Sequence, residues 1–253
     1  MKSNHIFIAH RGESFEAPEN TLAAINLAWQ REIRAVEIDV HLTADDEICV
    51  MHDKDTLRTT GKKLIIRKSV MHELQKLDAG SWKGEKWAGE KIPALTDVLA
   101  TVPSDGKLIV EIKSDSAMLG KLKGYIENSG LQDDQIEIIA FNLQTLSKAK
   151  KMMPQIKMLW LFRSRPLLLK YLKGIYTGAV LRKIIKYNID GVNIGDSRFL
   201  TREYIEKISS AGYPVYVWTV NDPNRALELF GYGVDCITSD RAARMAEKLK
   251  DKI

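Results

Sequence analysis

The distance between two acidic strand ends constrains the fold of this chain more than any other feature. Val36 to Val40 is an apolar run that carries Glu37 and Asp39, and only eight residues separate Asp39 from the next apolar run, Ile48 to Met51. A parallel crossover needs roughly ten to twelve residues or more. The stretch between, Thr43-Ala44-Asp45-Asp46-Glu47, consists largely of turn-forming residues. The spacing therefore predicts a hairpin: the second strand runs past the sheet, reverses near Asp45 and returns antiparallel, bringing His52 back opposite Ile38.

Elsewhere strand-like and helix-like segments alternate, the pattern of a parallel sheet. The strand candidates are His5 to His10, Ala35 to Val40, Leu108 to Lys113, Ile136 to Phe141, Ile156 to Phe162, Gly191 to Gly195, Val215 to Val220 and Asp235 to Ser239. Helical periodicity covers Thr21 to Glu32 with Asn20 as N-cap, Leu143 to Met153, Thr201 to Ala211, Pro223 to Tyr232 and Arg241 to Lys250. With the hairpin arm set aside, eight strands remain to lie parallel, which predicts an α/β TIM (β/α)8 barrel with its site at the C-terminal strand ends. The rival fold, an open doubly wound sheet, finds no GxGxxG turn after the first strand. A single domain over 1–253 is expected, with a small lid-like insertion at about 53–91 that holds Trp82 and Trp87.

Composition narrows the function. Hydrophobic residues make up 45% of the 253, enough for a sizeable core. The 38 basic and 33 acidic residues are mixed along the chain, so no basic stripe points to a nucleic-acid partner. No apolar run approaches the roughly 18 residues of a membrane span, and the start MKSNHIFIAHRG leaves no room for a signal core, so a cytoplasmic location without membrane insertion is expected. Cys49 and Cys236, far apart in strand-like runs, read as buried free thiols. The basic segment Arg163 to Lys186, with Leu167 to Leu169 interleaved, reads as solvated barrel helices.

Ionisable residues recur at the predicted strand ends. Glu37 and Asp39 are two apart on one strand, hence on one face, and Glu111 and Lys113 repeat that arrangement on the next barrel strand. Three buried acids are costly unless they bind a cation, and their hard oxygens suit Mg²⁺ or Ca²⁺. Arg11 and Lys113 bring positive charge beside them, suited to a phosphate. His10 and His52 supply groups for general acid and base chemistry near neutral pH. The combination describes phosphodiester cleavage. His5, His41 and His72 lack such company and read as surface or structural.

The ordered set His10-Arg11-Gly12, Pro18-Glu19-Asn20-Thr21, Glu37-x-Asp39-Val40, Thr43-x-Asp45, His52-Asp53 with Leu57-Arg58-Thr59-Thr60-Gly61, Glu111-x-Lys113 and Val217-Trp218-Thr219-Val220-Asn221 resembles the glycerophosphodiester phosphodiesterase family. The likeness extends through Leu77 to Trp82 and Ile92 to Leu95. It implies hydrolysis of glycerophosphodiesters, such as glycerophosphocholine, to sn-glycerol 3-phosphate and an alcohol, with one divalent cation. It further implies catalytic roles for His10 and His52, substrate contacts from Arg11, Lys113 and Trp218, metal ligation by Glu37, Asp39 and Glu111, and support from Glu19 and Asn20. Ala140-Phe141-Asn142 and Cys236 to Asp240 depart from the family pattern. Two rival readings are a lysophospholipase D acting on lysophospholipids and an inactive barrel that only binds diesters. The inactive barrel would be expected to lack one of the two histidines or three acids, and none is missing.

Overall fold

The computed structural model describes residues 6–114, 116–164 and 173–252. His5 and Leu167 to Leu169 lie outside them. Nine strands form the sheet: β1 Ile6–His10, β2 Ala35–Leu42, β3 Ile48–Val50, β4 Lys107–Ile112, β5 Ile136–Ala140, β6 Lys157–Arg163, β7 Gly191–Gly195, β8 Val215–Trp218 and β9 Cys236–Ser239. Eight of them are parallel and close on themselves in the order β1-β2-β4-β5-β6-β7-β8-β9, with β9 pairing back onto β1 from Ile6↔Cys236 to Ala9↔Ser239. This is the expected TIM barrel. Period-two alternation sorts its side chains into two layers. Ile8, Ala35, Ile109, Ile139, Leu159, Leu161, Tyr216 and Cys236 fill the barrel, while Val36, Ile38, Val40, Leu108 and Val110 point outward under the helices. Both cysteines are buried and free, as expected.

β3 is the returning arm. It pairs antiparallel with the outer end of β2 through Val40↔Val50, His41↔Cys49 and Leu42↔Ile48, the register read from the turn length. Thr43 and Asp45 build the turn: the Thr43 hydroxyl donates to Asp45 Oδ1 at 2.6 Å and accepts from the Glu47 N–H at 3.0 Å. Regular pleating carried two residues further would turn His52 outward with Ile38, because opposed residues share a face. The ladder instead stops at Val50, and a bend at 52–54 turns His52 to the barrel mouth.

The insertion packs against the arm. Cys49 and Met51 join Ile66, Met71, Leu74, Leu77, Ala79 and Ile92 in a small core of its own. The Trp82 indole donates to Ala79 O at 2.9 Å and that of Trp87 to Glu16 O at 3.2 Å. His41 is buried, with Nε2 3.1 Å from His52 O, and is structural. The helix expected over Thr21 to Glu32 spans Leu22–Gln30, and its N-cap is Thr21, not Asn20: the Thr21 hydroxyl accepts from Ala24 N–H at 3.3 Å. The Asn20 side chain is committed elsewhere.

Candidate active site

Three carboxylates meet where β2 and β4 end. Glu37, Asp39 and Glu111 are all buried and each offers an oxygen within 4.8 Å of the others. The parallel register explains the convergence, since Asp39 lies directly beside Glu111 across the β2–β4 ladder. Lys113, one residue past β4, sets Nζ 3.0 Å from Asp39 Oδ1 and 2.7 Å from Glu111 Oε1. Arg11 reaches the same group from β1: its backbone N–H donates to Glu37 Oε2 at 3.0 Å and its Nε lies 3.1 Å from Asp39 Oδ2. Asn20 grips Asp39 twice, with Nδ2 donating to Oδ2 at 2.9 Å and Oδ1 accepting from the Asp39 N–H at 3.2 Å. Its left-handed backbone, φ 58°, is one that Asn tolerates. Gly12, at φ 79°, lets this loop lie on the following helix, where a Cβ would come within 2.5 Å of the Ala24 carbonyl carbon.

Each predicted histidine has an aspartate on its Nδ1. His10 Nδ1 lies 2.6 Å from Asp240 Oδ1, and Asn221 donates to the other oxygen of Asp240 at 2.7 Å. His52 Nδ1 lies 2.6 Å from Asp53 Oδ1. Arg58 then donates through Nε to Asp53 Oδ2 at 2.7 Å and through both terminal nitrogens to Glu19 at 2.8 Å. Glu19 also takes Arg11 Nη1 at 2.8 Å. The insertion is thereby tied, through Arg58 and Glu19, to the barrel cation Arg11. Sequence reasoning had not assigned Asp240, Asn221, Asp53 or Arg58. The signal for Asp53 and Arg58 lay inside the His52–Gly61 motif, whereas nothing local marks Asp240, 230 positions from its partner.

Burial sets the charges. It pushes Glu37 well above the ordinary carboxyl range, and Asp39 and Glu111 push it further. It raises Glu111 to about 7 with the help of Asp39. Burial opposes ionisation of Asp39 as well, but Lys113 and Arg11 outweigh it and hold this carboxyl at about 2. Burial lowers His52, against the pull of Asp39, while Arg11 and Lys113 lower it further. Asp39 Oδ1 and Glu111 Oε1 are buried, and both face the Lys113 ammonium. Three acidic oxygens converging within 4.8 Å fit a hard divalent cation and do not distinguish Mg²⁺ from Ca²⁺.

These groups line a cavity of about 190 Å³, smaller than the roughly 300–1,000 Å³ clefts that take drug-sized ligands. His10, Arg11, Glu37, His52, Glu111 and Lys113 form one side. Trp218 lies across from Glu111 and Lys113, edge-on to Phe141 at 5.8 Å, with Asn193 beside it, while Thr238 lines the cavity next to β1. No residue of 54–91 is among the lining, so Trp82 and Trp87 sit beside the mouth rather than in it.

Barrel, acids, paired histidines and cations together place the chain among TIM-barrel hydrolases of phosphate esters. Residues 10–244 match the glycerophosphoryl diester phosphodiesterase family, and the chain belongs to that family. Among relatives, YhdW of Bacillus subtilis strain 168 is 34% identical over 92% of this chain and 93% of its own. The glycerophosphodiester phosphodiesterase of Caldanaerobacter subterraneus subsp. tengcongensis is 29% identical, covering 93% of both chains. Among solved structures, an Oleispira antarctica phosphodiesterase in complex with the product sn-glycerol-3-phosphate superposes with a TM-score of 0.88 at 31% identity, over 97% of this chain and 96% of that one.

Proposed function

We propose that this protein hydrolyses glycerophosphodiesters to sn-glycerol 3-phosphate and an alcohol, with a divalent cation and with His10 and His52 as the proton-transfer pair. The observation that carries the reading is the placement of the Glu37, Asp39 and Glu111 cluster between two histidines whose Nδ1 atoms are each taken by an aspartate. That engagement leaves Nε2 of each ring for the substrate. One histidine takes the proton of the attacking hydroxyl as the new P–O bond forms, and the other returns a proton to the alkoxide as the old P–O bond breaks. Arg11 and Lys113 hold the phosphoryl oxygens and offset the charge that develops on them. Glu37, Asp39 and Glu111 would hold the cation, which when bound supplies Lewis acidity at the phosphoryl group. Segment 53–91 serves this site by fixing His52 through Asp53 and Arg58.

A lysophospholipase D reading has one observation in its favour: a groove walled by Phe141, Trp160, Phe162 and Tyr176 shares Phe141 and Arg163 with the cavity. Its aromatic walls and volume of about 520 Å³ would take an apolar leaving group. Turnover of glycerophosphocholine against lysophosphatidylcholine separates the two. The main test is release of glycerol 3-phosphate from glycerophosphocholine: EDTA abolishes it, and His10→Ala or His52→Ala each lowers it by about 10² or more. Full activity in His52→Ala would overturn the assignment.

A further inference from the structure

Positive charge is mixed with negative over the chain as a whole, but not over its third quarter. Between Glu137 and Asp190 lie 52 residues that include no acid and 11 of the 38 lysines and arginines. The other 27 share the rest of the chain with all 33 acids, so this stretch is strongly basic and everything outside it is net acidic. In the fold the stretch becomes one side of the barrel. It supplies β6 and the helices before and after it, Leu143–Met152 and Lys173–Tyr187, which pack side by side. On the first, Leu143, Leu146 and Ala149 face the barrel, and helical spacing turns Lys148 and Lys151 outward. On the second, Thr177, Val180 and Ile184 are buried, and Ile175, Arg182, Ile185 and Lys186 take the opposite face.

Elsewhere on the surface cations are matched, as Lys121 is by Glu47, Arg202 by Glu206 and Arg225 by Asp196. On these two helices Lys150 is held by Asp190 at 2.7 Å. Lys148, Lys151, Arg182, Lys183 and Lys186 are all exposed and have no acidic partner among the described residues. Large apolar side chains stand in solvent between them: Ile175 is 68% exposed and Ile185 66%, about 15 Å apart along one helix, and Met152 ends the other. A second copy of the chain would set like charge against like. A nucleic acid is gripped by cations together with aromatic planes that stack on bases, but here the outermost apolar groups are aliphatic and the Trp160 and Tyr187 rings lie under Lys183 and Lys186. A bilayer rich in anionic lipid meets both features, since its head groups take the cations and its boundary layer takes the isoleucines. We infer that the outer faces of Leu143–Met152 and Lys173–Tyr187 form a docking surface for an anionic membrane, which holds the barrel on its side against the lipid. This goes beyond the reaction and stands whether or not the phosphodiesterase reading holds. The groove walled by Phe141, Trp160, Phe162 and Tyr176 borders the second helix and shares Phe141 and Arg163 with the catalytic cavity, so docking here brings that cavity beside the lipid.

The test is sedimentation of the full chain with vesicles of phosphatidylcholine alone, or mixed equally with phosphatidylglycerol, at about 0.1 M and about 0.5 M salt. The face predicts binding to the anionic vesicles only, weakened by salt. A cation near such a surface contributes roughly fivefold in affinity, so the triple variant Lys151→Gln, Arg182→Gln and Lys186→Gln should bind about 100-fold more weakly. The pair Ile175→Gln and Ile185→Gln should lose about 10-fold. A control that removes three exposed lysines from other faces, Lys76→Gln, Lys207→Gln and Lys248→Gln, should stay within about threefold of the parent, and melting temperatures should match throughout. Equal loss in the control overturns the inference in favour of net charge alone. So does equal binding to both vesicles, or binding to neither. Tighter binding to duplex DNA than to the anionic vesicles overturns it as well and marks a nucleic-acid surface.

Discussion

Replacing Asp240 by Asn keeps the shape of the side chain and removes its charge. Asp240 accepts from His10 Nδ1 at 2.6 Å and from Asn221 at 2.7 Å. Burial raises this carboxyl, but the His10 contact and Asn221 outweigh it and bring it to about 2. Against an ordinary aspartate that depression corresponds to about 2.5 kcal/mol. The side chain is 35% exposed, so solvent screening reduces the figure to about 1 kcal/mol. For a chain of this length that is roughly 2–4 °C in Tm at neutral pH. Because the folded-state pKa is depressed, the stabilisation is present above the unfolded value near ~3.9 and is lost as pH falls through about 2. The Tm gap between parent and variant should accordingly close over that acid window. Activity falls further than stability, because a neutral amide no longer fixes which ring nitrogen of His10 carries the proton. A loss of kcat of about 10² or more is expected, with KM little changed. Steady-state assays on glycerophosphocholine and calorimetric melts across pH give both readouts. A variant with kcat within about threefold of the parent would refute the positioning role, since a general acid–base contribution is worth far more.

Two further outcomes follow from the acid cluster. Asn20→Gly tolerates the φ of 58° but deletes both hydrogen bonds to Asp39; Mg²⁺ affinity should drop about 10- to 100-fold, and unchanged affinity in a titration would discount Asn20 as a support. Cation binding must also displace protons from Glu37 and Glu111, both raised by burial. Affinity should therefore climb with pH through the neutral range, with proton uptake by the buffer visible in calorimetry, and a flat affinity between about pH 6 and pH 8 would contradict it.

The barrel was legible because its constraints are local: the length of the 43–47 turn fixes the register of the arm, and the acids two apart on β2 have to share the inner face, as do Glu111 and Lys113 at the end of β4. The final approach of His52 was not. Strand pleating predicts the wrong face for it, and the bend that corrects this is held by Asp53 and by Arg58, which donates both to Asp53 and, across 39 positions, to Glu19. Asn20 reads as the helix cap because Asn is preferred there over Thr; only the buried Asp39 carboxylate decides that Thr21 caps and Asn20 turns inward.

The pairing of β9 onto β1 also sets a timetable for the enzyme as it is made. His10 leaves the ribosome early, on the first strand, but its anchor Asp240 follows the last strand and comes 230 residues later. A nascent or truncated chain that stops short of residue 240 can carry every acid and both histidines and still lack an oriented His10. Closing the ring is thus the step that sets Asp240 against His10.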